Sequence, residues 1–238
     1  MRQTHRLIHY LRHILTATNT GGHGVHSPFL FEFIQYVLKE KYPFYCFEVL
    51  EKKRLEILSG ISPNPQDSAR KNQLLFRICA RYKLKNVMEV GTSPGISTLY
   101  LTTSDQALKC TRVEIHKDLS KKVQMFLHKE GRTNFDQLPV DSLAKPDEVL
   151  QRAGVQDLIY ISAIAPASQL IYYFDSCVNF CNHNSIIVID KPYESEEATV
   201  AWKTIQKRTN VYATIDLYHL GIVFFNPAYA HTHYRSIF

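Results

Sequence analysis

The 238-residue sequence contains no apolar run long enough to cross a membrane, and its N-terminus lacks the continuous apolar core of a signal peptide. Its five cysteines are odd in number, are scattered and form no C-x-x-C pair, which indicates a reducing compartment. No block of roughly five or six like charges occurs. The net charge of +6 is therefore too diffuse to indicate nucleic-acid binding. These absences predict a cytoplasmic protein without membrane or nucleic-acid partners.

The pattern of the chain changes near residue 86. Before it, apolar residues recur at helical spacing and no strand pattern occurs, which predicts a helical N-terminal extension over residues 1–85. After it, short apolar strands alternate with helices, and the turn Tyr218–Gly221 separates the last two strands as a hairpin. Residues 86–238 are therefore expected to form one α/β domain, with a mostly parallel sheet and one antiparallel strand.

The first predicted helix, over residues 3–17, is amphipathic and basic. Its apolar face carries Leu7, Ile8, Leu11, Ile14 and Leu15. Such a face usually packs against its own domain or against a partner subunit, although a basic amphipathic helix can also lie on a membrane surface. We expect the packed arrangement, with a homodimer as a candidate assembly. Further along, Ser27 and Pro28 predict the N-cap and first position of a second helix.

One stretch, Asn86 to Leu101, predicts a strand, a glycine turn and the start of a helix. Val87–Val90 is a short apolar run typical of a buried strand, Gly91–Gly95 is the turn, and the helix begins at Ile96. Glycine has no Cβ and can adopt positive φ, so a ligand can approach the backbone of such a turn closely. The helix N-terminus adds unpaired N–H groups that suit an anionic group.

Two other interpretations of this turn are open on its residues alone. Gly91–Gly95 matches the G-x-S-x-G nucleophile elbow, with Ser93 as a nucleophile and with Asp190 and His219 following in the order that a hydrolase needs. The glycines of a strand-to-helix turn can also serve packing alone. The residues at the ends of the later strands bear on this choice.

Polar residues follow the other predicted strands at their carboxyl ends, where ligands bind in open α/β sheets. Glu114 ends the second strand, in the position from which a carboxylate accepts hydrogen bonds from a ribose diol. The later strands are followed by Asp141, Ser142, Ser162, Asp190 and Lys191. A hydrolase has no need of Glu114 in this position, so the ordered set favours binding of a nucleoside-containing ligand.

At these residues the chain resembles the class I S-adenosylmethionine-dependent methyltransferases, and Glu89 to Leu99 resembles the first motif of their small-molecule O-methyltransferase branch. The resemblance implies that the turn contacts the methionine part of the cofactor and that Ser97 holds its carboxylate. It also implies that Glu114 binds the ribose and Asp141 the adenine amine. The cofactor-binding residues implied in this way are Glu89, Gly91, Thr92, Ser93, Gly95, Ser97, Glu114, Ile115, Asp141, Ser142 and Ser162. The implied fold is a Rossmann-like, seven-stranded, mostly parallel sheet with one antiparallel strand.

The chain departs from the metal-dependent members of this branch, which hold a divalent cation with an Asp at position 162 and an Asp-Asn pair at positions 190 and 191. Here these residues are Ser162, Asp190 and Lys191. A hard cation needs several oxygen ligands, and an ammonium group now stands at one ligand position. We therefore expect no catalytic metal.

The resemblance predicts a metal-independent methyltransferase that acts on a small-molecule acceptor, with O-methyl transfer favoured. Candidates for a catalytic base or an acceptor-binding group are Asp190, Lys191 and His26. A second hypothesis is a non-catalytic methyltransferase-like domain that binds the cofactor or a protein partner, because the residues at positions 162 and 191 have lost the metal ligands. The third is the serine hydrolase with Ser93 as nucleophile.

Overall fold

A computed structural model describes residues 2–60, 68–91, 93–114, 117–139, 154–162 and 167–238. The chain divides into two compact units. One comprises residues 41–154, and the other comprises residues 1–40 together with 155–238. The described part of the expected extension over residues 1–85 contains helices and no strand, with turns and loops at 17–27 and 39–45, but its residues are shared between the two units. The domain boundary at residue 86 stays a prediction.

The unit of residues 1–40 and 155–238 begins with two helices, α1 (Arg2–Thr16) and α2 (Pro28–Phe33). Helix α2 continues as one π-helical turn (Ile34–Leu38). The predicted N-cap is confirmed, because the side chain of Ser27 accepts a hydrogen bond from the N–H of Leu30 at 3.4 Å, and Pro28 occupies the first turn. Proline is favoured there because the N–H that it lacks would have no partner inside the helix.

Residues 41–154 form a unit of helices and three parallel strands. Its elements are α3 (Cys46–Gly60), α4 (Ala69–Tyr82), β1 (Asn86–Val90), α5 (Ile96–Ser104), β2 (Lys109–Glu114), α6 (Lys117–Lys129) and β3 (Phe135–Pro139). The strand order is β3-β2-β1, and Glu89 of β1 lies opposite Arg112 of β2, which lies opposite Gln137 of β3. This register places three polar residues side by side across the three strands.

The remaining elements belong with α1 and α2. They are β4 (Leu158–Ile161), α7 (Leu170–Val178), β5 (Ile186–Asp190), α8 (Glu196–Gln206), β6 (Ala213–Asp216), β7 (Leu220–Phe224) and β8 (Thr232–Arg235). The strand order in this unit is β4-β5-β7-β6-β8. The hairpin of β6 and β7 makes β7 antiparallel to both of its neighbours, as predicted, whereas β4 is parallel to β5 and β8 is parallel to β6.

The expectation of seven strands is wrong by one, because the described residues form eight. The additional strand, β8, spans Thr232–Arg235 and pairs with one neighbour, β6, in the described sheet. Its sequence is short and polar, and a polar edge strand carries little of the apolar signal by which buried strands are recognised. The sequence therefore did not predict that residues 232–235 pair with β6 as a strand.

The apolar face of α1 does not pack against its own unit, which was one of the two expected arrangements, and packing against a partner subunit stays a prediction. Its histidine-rich face lies against its unit, where His5 bonds Thr199 at 3.1 Å and His13 bonds the carbonyl of Ser236 at 3.0 Å. The five apolar side chains of the other face are between 40 and 83% exposed. No helix in the described part of the chain is long and apolar enough to span a membrane.

The indole of Trp202 on α8 packs directly on the backbone of β7. It is fully buried, and a Cβ on Gly221 would lie 2.6 Å from its ring. A real Cβ does not approach a ring carbon so closely, so β7 needs a glycine at this position for steric reasons. The packing of α8 on the sheet depends on this contact.

We expect Gly221→Ala to lower the free energy of unfolding by about 1–3 kcal/mol, because the added methyl group forces the indole out of place. Urea denaturation of the purified variant measures this change. Gly60→Ala is the matched control, since no described atom lies within 4 Å of the Cβ position there, and it is expected to be neutral or slightly stabilising. Equal stability of Gly221→Ala and the wild-type protein would contradict the packing argument.

Candidate functional site

The turn between β1 and α5 has the geometry expected of a ligand-binding loop. Gly91 has a φ of 113° and Gly95 has a φ of 86°, both in the region that favours glycine. Gly95 is also the N-cap of α5, and a Cβ at this residue would overlap the side chain of Val123 on α6. The second glycine therefore permits both the backbone turn and the close approach of α6.

Ser93 closes the turn with its hydroxyl and both of its backbone polar groups. Its hydroxyl accepts from the N–H of Gly95 at 3.2 Å and lies 3.0 Å from that of Ser97. Its backbone N–H donates to Glu114 Oε2 at 3.1 Å, and its carbonyl accepts from Arg112 Nη2 at 2.6 Å. The conformation of the turn is thus tied to the end of β2.

Arg112 joins the two carboxylates of the site. Its Nη2 donates to Glu114 Oε2 at 3.3 Å, and its Nε lies 3.8 Å from Glu89 Oε2. Its Nη1 donates to the side chain of Gln137 at 3.3 Å. Glu89 also accepts hydrogen bonds from the hydroxyls of Ser97 and Thr98, the latter at 2.5 Å. The arrangement links three neighbouring strands, the turn and the first turn of α5.

All three charged groups are withdrawn from water, since Arg112 and Glu89 are each 1% exposed and Glu114 is 2% exposed. Charges are tolerated in such a position only when each is paired and hydrogen-bonded. The pKa of the neighbouring Cys110 thiol is raised well above its usual value, first by burial and then by the charge of Glu89. Cys110 is therefore a protonated, unreactive core residue.

The first turn of α5 offers donors for an anionic group. No acceptor for the backbone N–H of Ser97 is seen among the residues that the structure describes, and the N-cap Gly95 has no side chain to supply one. Ile96 and Ser97 are both buried. These donors fit the carboxylate end of an amino-acid-like cofactor. The Glu114 carboxylate has the right chemistry for a ribose diol, but in this structure it is bound by Arg112 and Ser93.

Arg112→Met is expected to lower the free energy of unfolding by about 3–5 kcal/mol, because it leaves two buried carboxylates without their cation. Arg208→Met is the matched control. Arg208 pairs with Asp175 at 2.5 Å, with side chains that are 39% and 47% exposed, so its loss is expected to cost less than about 1 kcal/mol. Urea denaturation measures both variants. A similar small cost for Arg112→Met would show that the buried network contributes little to stability.

Several of the predicted cofactor residues have no described geometry. Thr92, Ile115, Asp141 and Ser142 lie outside the described residues, so their predicted roles stay predictions. Ser162 follows β4 and is buried. The structure does bring together the other members of the predicted set that belong to residues 41–154, namely Glu89, Gly91, Ser93, Gly95, Ser97 and Glu114.

The three candidate catalytic residues all belong to the unit of residues 1–40 and 155–238. Asp190 ends β5, and Lys191 follows it with a φ of 51°, a conformation that non-glycine residues rarely adopt. The N–H of Lys191 donates to the carbonyl of His219 at 2.9 Å. His26 is exposed, one residue before the N-cap Ser27. The structure describes no contact that joins His26 to Asp190 or Lys191.

Ser93 has the surroundings of a structural residue rather than those of a nucleophile. A serine nucleophile needs a histidine within hydrogen-bond reach, and its hydroxyl needs access to a substrate. The described partners of the Ser93 hydroxyl are Ser97 and Gly95, and the residue is 3% exposed. This geometry does not support the hydrolase hypothesis.

The described residues contain no group of three or more His, Cys, Asp or Glu side chains arranged to hold a metal ion. The prediction of metal-independent chemistry rests on the identities of Ser162 and Lys191.

Cys177 and Cys181, one helical turn apart, have free thiols, and the thiol of Cys181 donates to the carbonyl of Cys177 at 3.5 Å. Burial raises the pKa of Cys181 to about 12, so this thiol is protonated.

The sequence analysis did not predict a role in the site for Arg112, its central residue, or for Thr98. One signal could have identified Arg112. It alternates with Glu114 along β2, which places both side chains on the same face of a strand that is otherwise apolar enough to be buried. An arginine in such a strand needs a buried anion, and Glu89 and Glu114 are the available carboxylates.

The structure resembles solved methyltransferases. The O-methyltransferase TomG from Streptomyces achromogenes, in complex with SAM, superposes with a TM-score of 0.61 at 13% identity, covering 78% of this chain and 91% of that chain. The O-methyltransferase from Bacillus cereus, in complex with SAH, gives 0.62 at 13% identity over 80% and 96%. A putative caffeoyl-CoA O-methyltransferase from Staphylococcus aureus gives 0.62 at 15% identity over 83% and 98%.

No protein-family model matches the sequence, and no curated protein sequence matches it. The likeness therefore rests on the three-dimensional structure, and at these identities it concerns the fold. It agrees with the parallel strands, the antiparallel β7 and the glycine turn after β1. The chain has the Rossmann-like α/β fold of the O-methyltransferases, as the sequence predicted.

Proposed function

We propose that this protein is an S-adenosylmethionine-dependent methyltransferase that binds its cofactor at the turn between β1 and α5. The observation that carries the proposal is the hydrogen bond from the N–H of Ser93 to Glu114, which joins the glycine turn to the acid that ends β2. A turn with close backbone access and an acid beside it is the arrangement that a nucleoside-containing cofactor needs. The O-methyltransferase fold supports the same proposal.

Each part of the cofactor has a proposed partner in residues 41–154. The N–H groups of Ile96 and Ser97 would hold the methionine carboxylate, and Glu114 would accept from the ribose hydroxyls. The bound cofactor supplies a methyl group that is already activated for transfer by its positive sulfur. The main task of the protein is then to align the two reactants and exclude water. Arg112 positions Glu114 for this role through their 3.3 Å hydrogen bond.

On the acceptor side we propose Asp190 and Lys191, with His26 as a further candidate. The left-handed backbone of Lys191 is an unusual conformation of the kind that occurs at functional sites. Its ammonium group suits an acidic acceptor, and Asp190 suits the removal of a proton from a hydroxyl. The proposed reaction is O-methylation of a small molecule without a metal. A cytoplasmic location and a homodimer belong to the same proposal.

A second candidate function is a non-catalytic methyltransferase-like domain. The observation that favours it is the burial of Glu89 and Glu114, which are 1% and 2% exposed and are bound by Arg112 and the turn. In this alternative the two carboxylates stabilise the fold, and the domain acts through a protein partner. Binding of the cofactor separates the two functions.

Calorimetric titration with S-adenosylmethionine and S-adenosylhomocysteine is expected to give dissociation constants in the micromolar range. The values should be the same in magnesium and in EDTA, because the metal-ligand positions hold Ser162 and Lys191. Absence of binding to either compound would contradict the proposed function and favour the non-catalytic domain. A requirement for magnesium would contradict the metal-independent part of it.

Glu114→Gln is expected to weaken binding of the cofactor about tenfold, because the charge-assisted bonds to the ribose become neutral ones. Asp136→Asn is the matched control on the neighbouring strand β3, where the side chain is exposed, and it is expected to leave affinity unchanged. Thermal unfolding of each variant verifies that it is folded. A folded Glu114→Gln variant with wild-type affinity would show that Glu114 does not bind the ribose.

A further inference from the structure

A small cavity lies under α1, in the unit of residues 1–40 and 155–238. Its volume is about 70 Å³, and its lining residues come from α1, from the loop after β5, from α8 and from β8. They are His9, Arg12, His13, Tyr193, Lys203 and Arg235. Five of these six side chains are cationic or become so on protonation, and none is acidic. This composition indicates an anionic ligand.

The acid beside the cavity is Asp216, which ends β6 and is 1% exposed. It already accepts from the hydroxyl of Tyr193 at 2.5 Å, from the N–H of Tyr218 at 3.0 Å and from Trp202 Nε1 at 3.4 Å. Burial and the charge of Asp216 raise the pKa of Tyr193, so its phenol stays protonated as a donor. These three neutral donors satisfy much of the hydrogen-bonding capacity of the carboxylate.

Two buried nitrogens of the lining have no hydrogen-bond partner. They are His13 Nδ1 and Arg235 Nε, which lie 3.5 Å and 3.7 Å from oxygens of Asp216. The other nitrogen of His13, Nε2, is 3.0 Å from the carbonyl of Ser236, which can only accept, so Nε2 carries a proton. His13 is 4% exposed. Arg235 Nε is a donor without an acceptor at hydrogen-bond distance, and an anion in the cavity would supply one.

The basic side chains that line the cavity outnumber the one carboxylate beside it. Arg12, Lys203 and Arg235 supply three basic side chains, against the single carboxylate of Asp216. The pKa of His9 is lowered from its usual 6.5 by burial and then by the charges of His5, Lys203 and Arg12, while Asp216 opposes them. The histidine thus experiences a net positive environment, as an anion site would provide.

The size of the cavity limits the ligand. A water molecule needs roughly 10–15 Å³ of such space. A volume of about 70 Å³ therefore holds roughly five to seven water molecules, space comparable with the heavy atoms of one phosphate group. Arginine and lysine side chains are the usual ligands of phosphate in proteins.

We propose that the cavity bounded by His9, Arg12, His13, Tyr193, Lys203 and Arg235 is a binding site for a phosphate group. The site is separate from the proposed methyl transfer, since none of its residues is assigned to the cofactor or to the acceptor. The phosphate belongs either to a soluble phosphate compound or to a phospholipid headgroup. The exposed apolar side chains of α1, next to the cavity residues of the same helix, are the reason for testing the second source.

The first test is a calorimetric titration of the full-length protein with inorganic phosphate. The ionic strength is kept constant, with chloride as the balancing anion. Saturable binding is expected in the wild-type protein. The double variant Arg12→Met and Lys203→Met should bind at least about tenfold more weakly, because both exposed cations of the cavity are gone. Lys207→Met, at the C-cap that follows α8, is the matched control and should bind like the wild type.

The second readout is the pKa of His9, followed by NMR of its ring protons with and without phosphate. Phosphate in the cavity should raise this pKa towards or above its usual value, because the anion offsets the charges of Lys203 and Arg12. His23, which is exposed and lies outside the cavity lining, is the internal control, and its ring-proton signals should not respond to phosphate. A His9 pKa that phosphate leaves unchanged would overturn the proposal.

Vesicles distinguish the two sources of phosphate. Phosphatidylcholine vesicles with and without phosphatidic acid are sedimented with the wild-type protein, with the double variant and with Leu11→Ser and Leu15→Ser. Binding that needs phosphatidic acid, the two cations and the two leucines supports a lipid headgroup, and binding of inorganic phosphate alone supports a soluble compound. The proposal is overturned if the wild-type protein binds neither inorganic phosphate nor phosphatidic acid. It is also overturned if the Arg12→Met and Lys203→Met double variant binds as tightly as the wild-type protein.

Discussion

The buried guanidinium of Arg112 is the group on which the polar centre of residues 41–154 depends. It lies between Glu89 and Glu114 and donates to the carbonyl of Ser93. Because neighbouring strands alternate their side chains in register, a shift of β2 by one residue would turn Arg112 and Glu114 to the opposite face. The ion pairs therefore specify the register of β1 and β2 as well as the conformation of the turn.

This dependence couples stability to the proposed function. The residues that would contact a cofactor, Ser97 and Glu114, are also those that satisfy the buried charges of the network. A ligand that draws on the oxygens of Glu114 must compete with Arg112 or share the carboxylate with it. A site built in this way is pre-organised, because its acid is already held in one orientation before a ligand arrives.

The other unit has a comparable centre in Asp216. This carboxylate gathers Tyr193, Trp202 and the backbone of Tyr218 at the end of β6. The aromatic residues around it in turn support α1, through the stacking of His9 on Tyr193 at 5.3 Å and the hydrogen bond from Tyr218 to the carbonyl of Arg6 at 2.6 Å. Polar contacts of this kind explain why α1 presents histidines to its unit and leaves its apolar face exposed.

The local elements were predictable from the sequence because their signals are local. Apolar runs identified the buried strands, Ser27 and Pro28 marked the start of α2, and the spacing of Glu89, Gly91 and Gly95 predicted the turn and its conformation. The order of these elements predicted the mostly parallel α/β sheet, and the resemblance of Glu89–Leu99 to the first methyltransferase motif implied the O-methyltransferase fold. The sequence by itself thus determined most of the helices and strands, the fold class and the position of the candidate cofactor turn.

Only the tertiary structure decided how the polar residues are partnered. Nothing local joins Arg112 to Glu89, or His13 to the carbonyl of Ser236 more than two hundred residues away. The periodicity of α1 defined two faces but did not say which would pack, since that depends on the hydrogen-bonding groups that the other elements present. The edge strand β8 likewise depends on backbone pairing with β6, which any sequence of suitable shape can make. Partners of buried polar groups are set by three-dimensional proximity, and no local pattern encodes it.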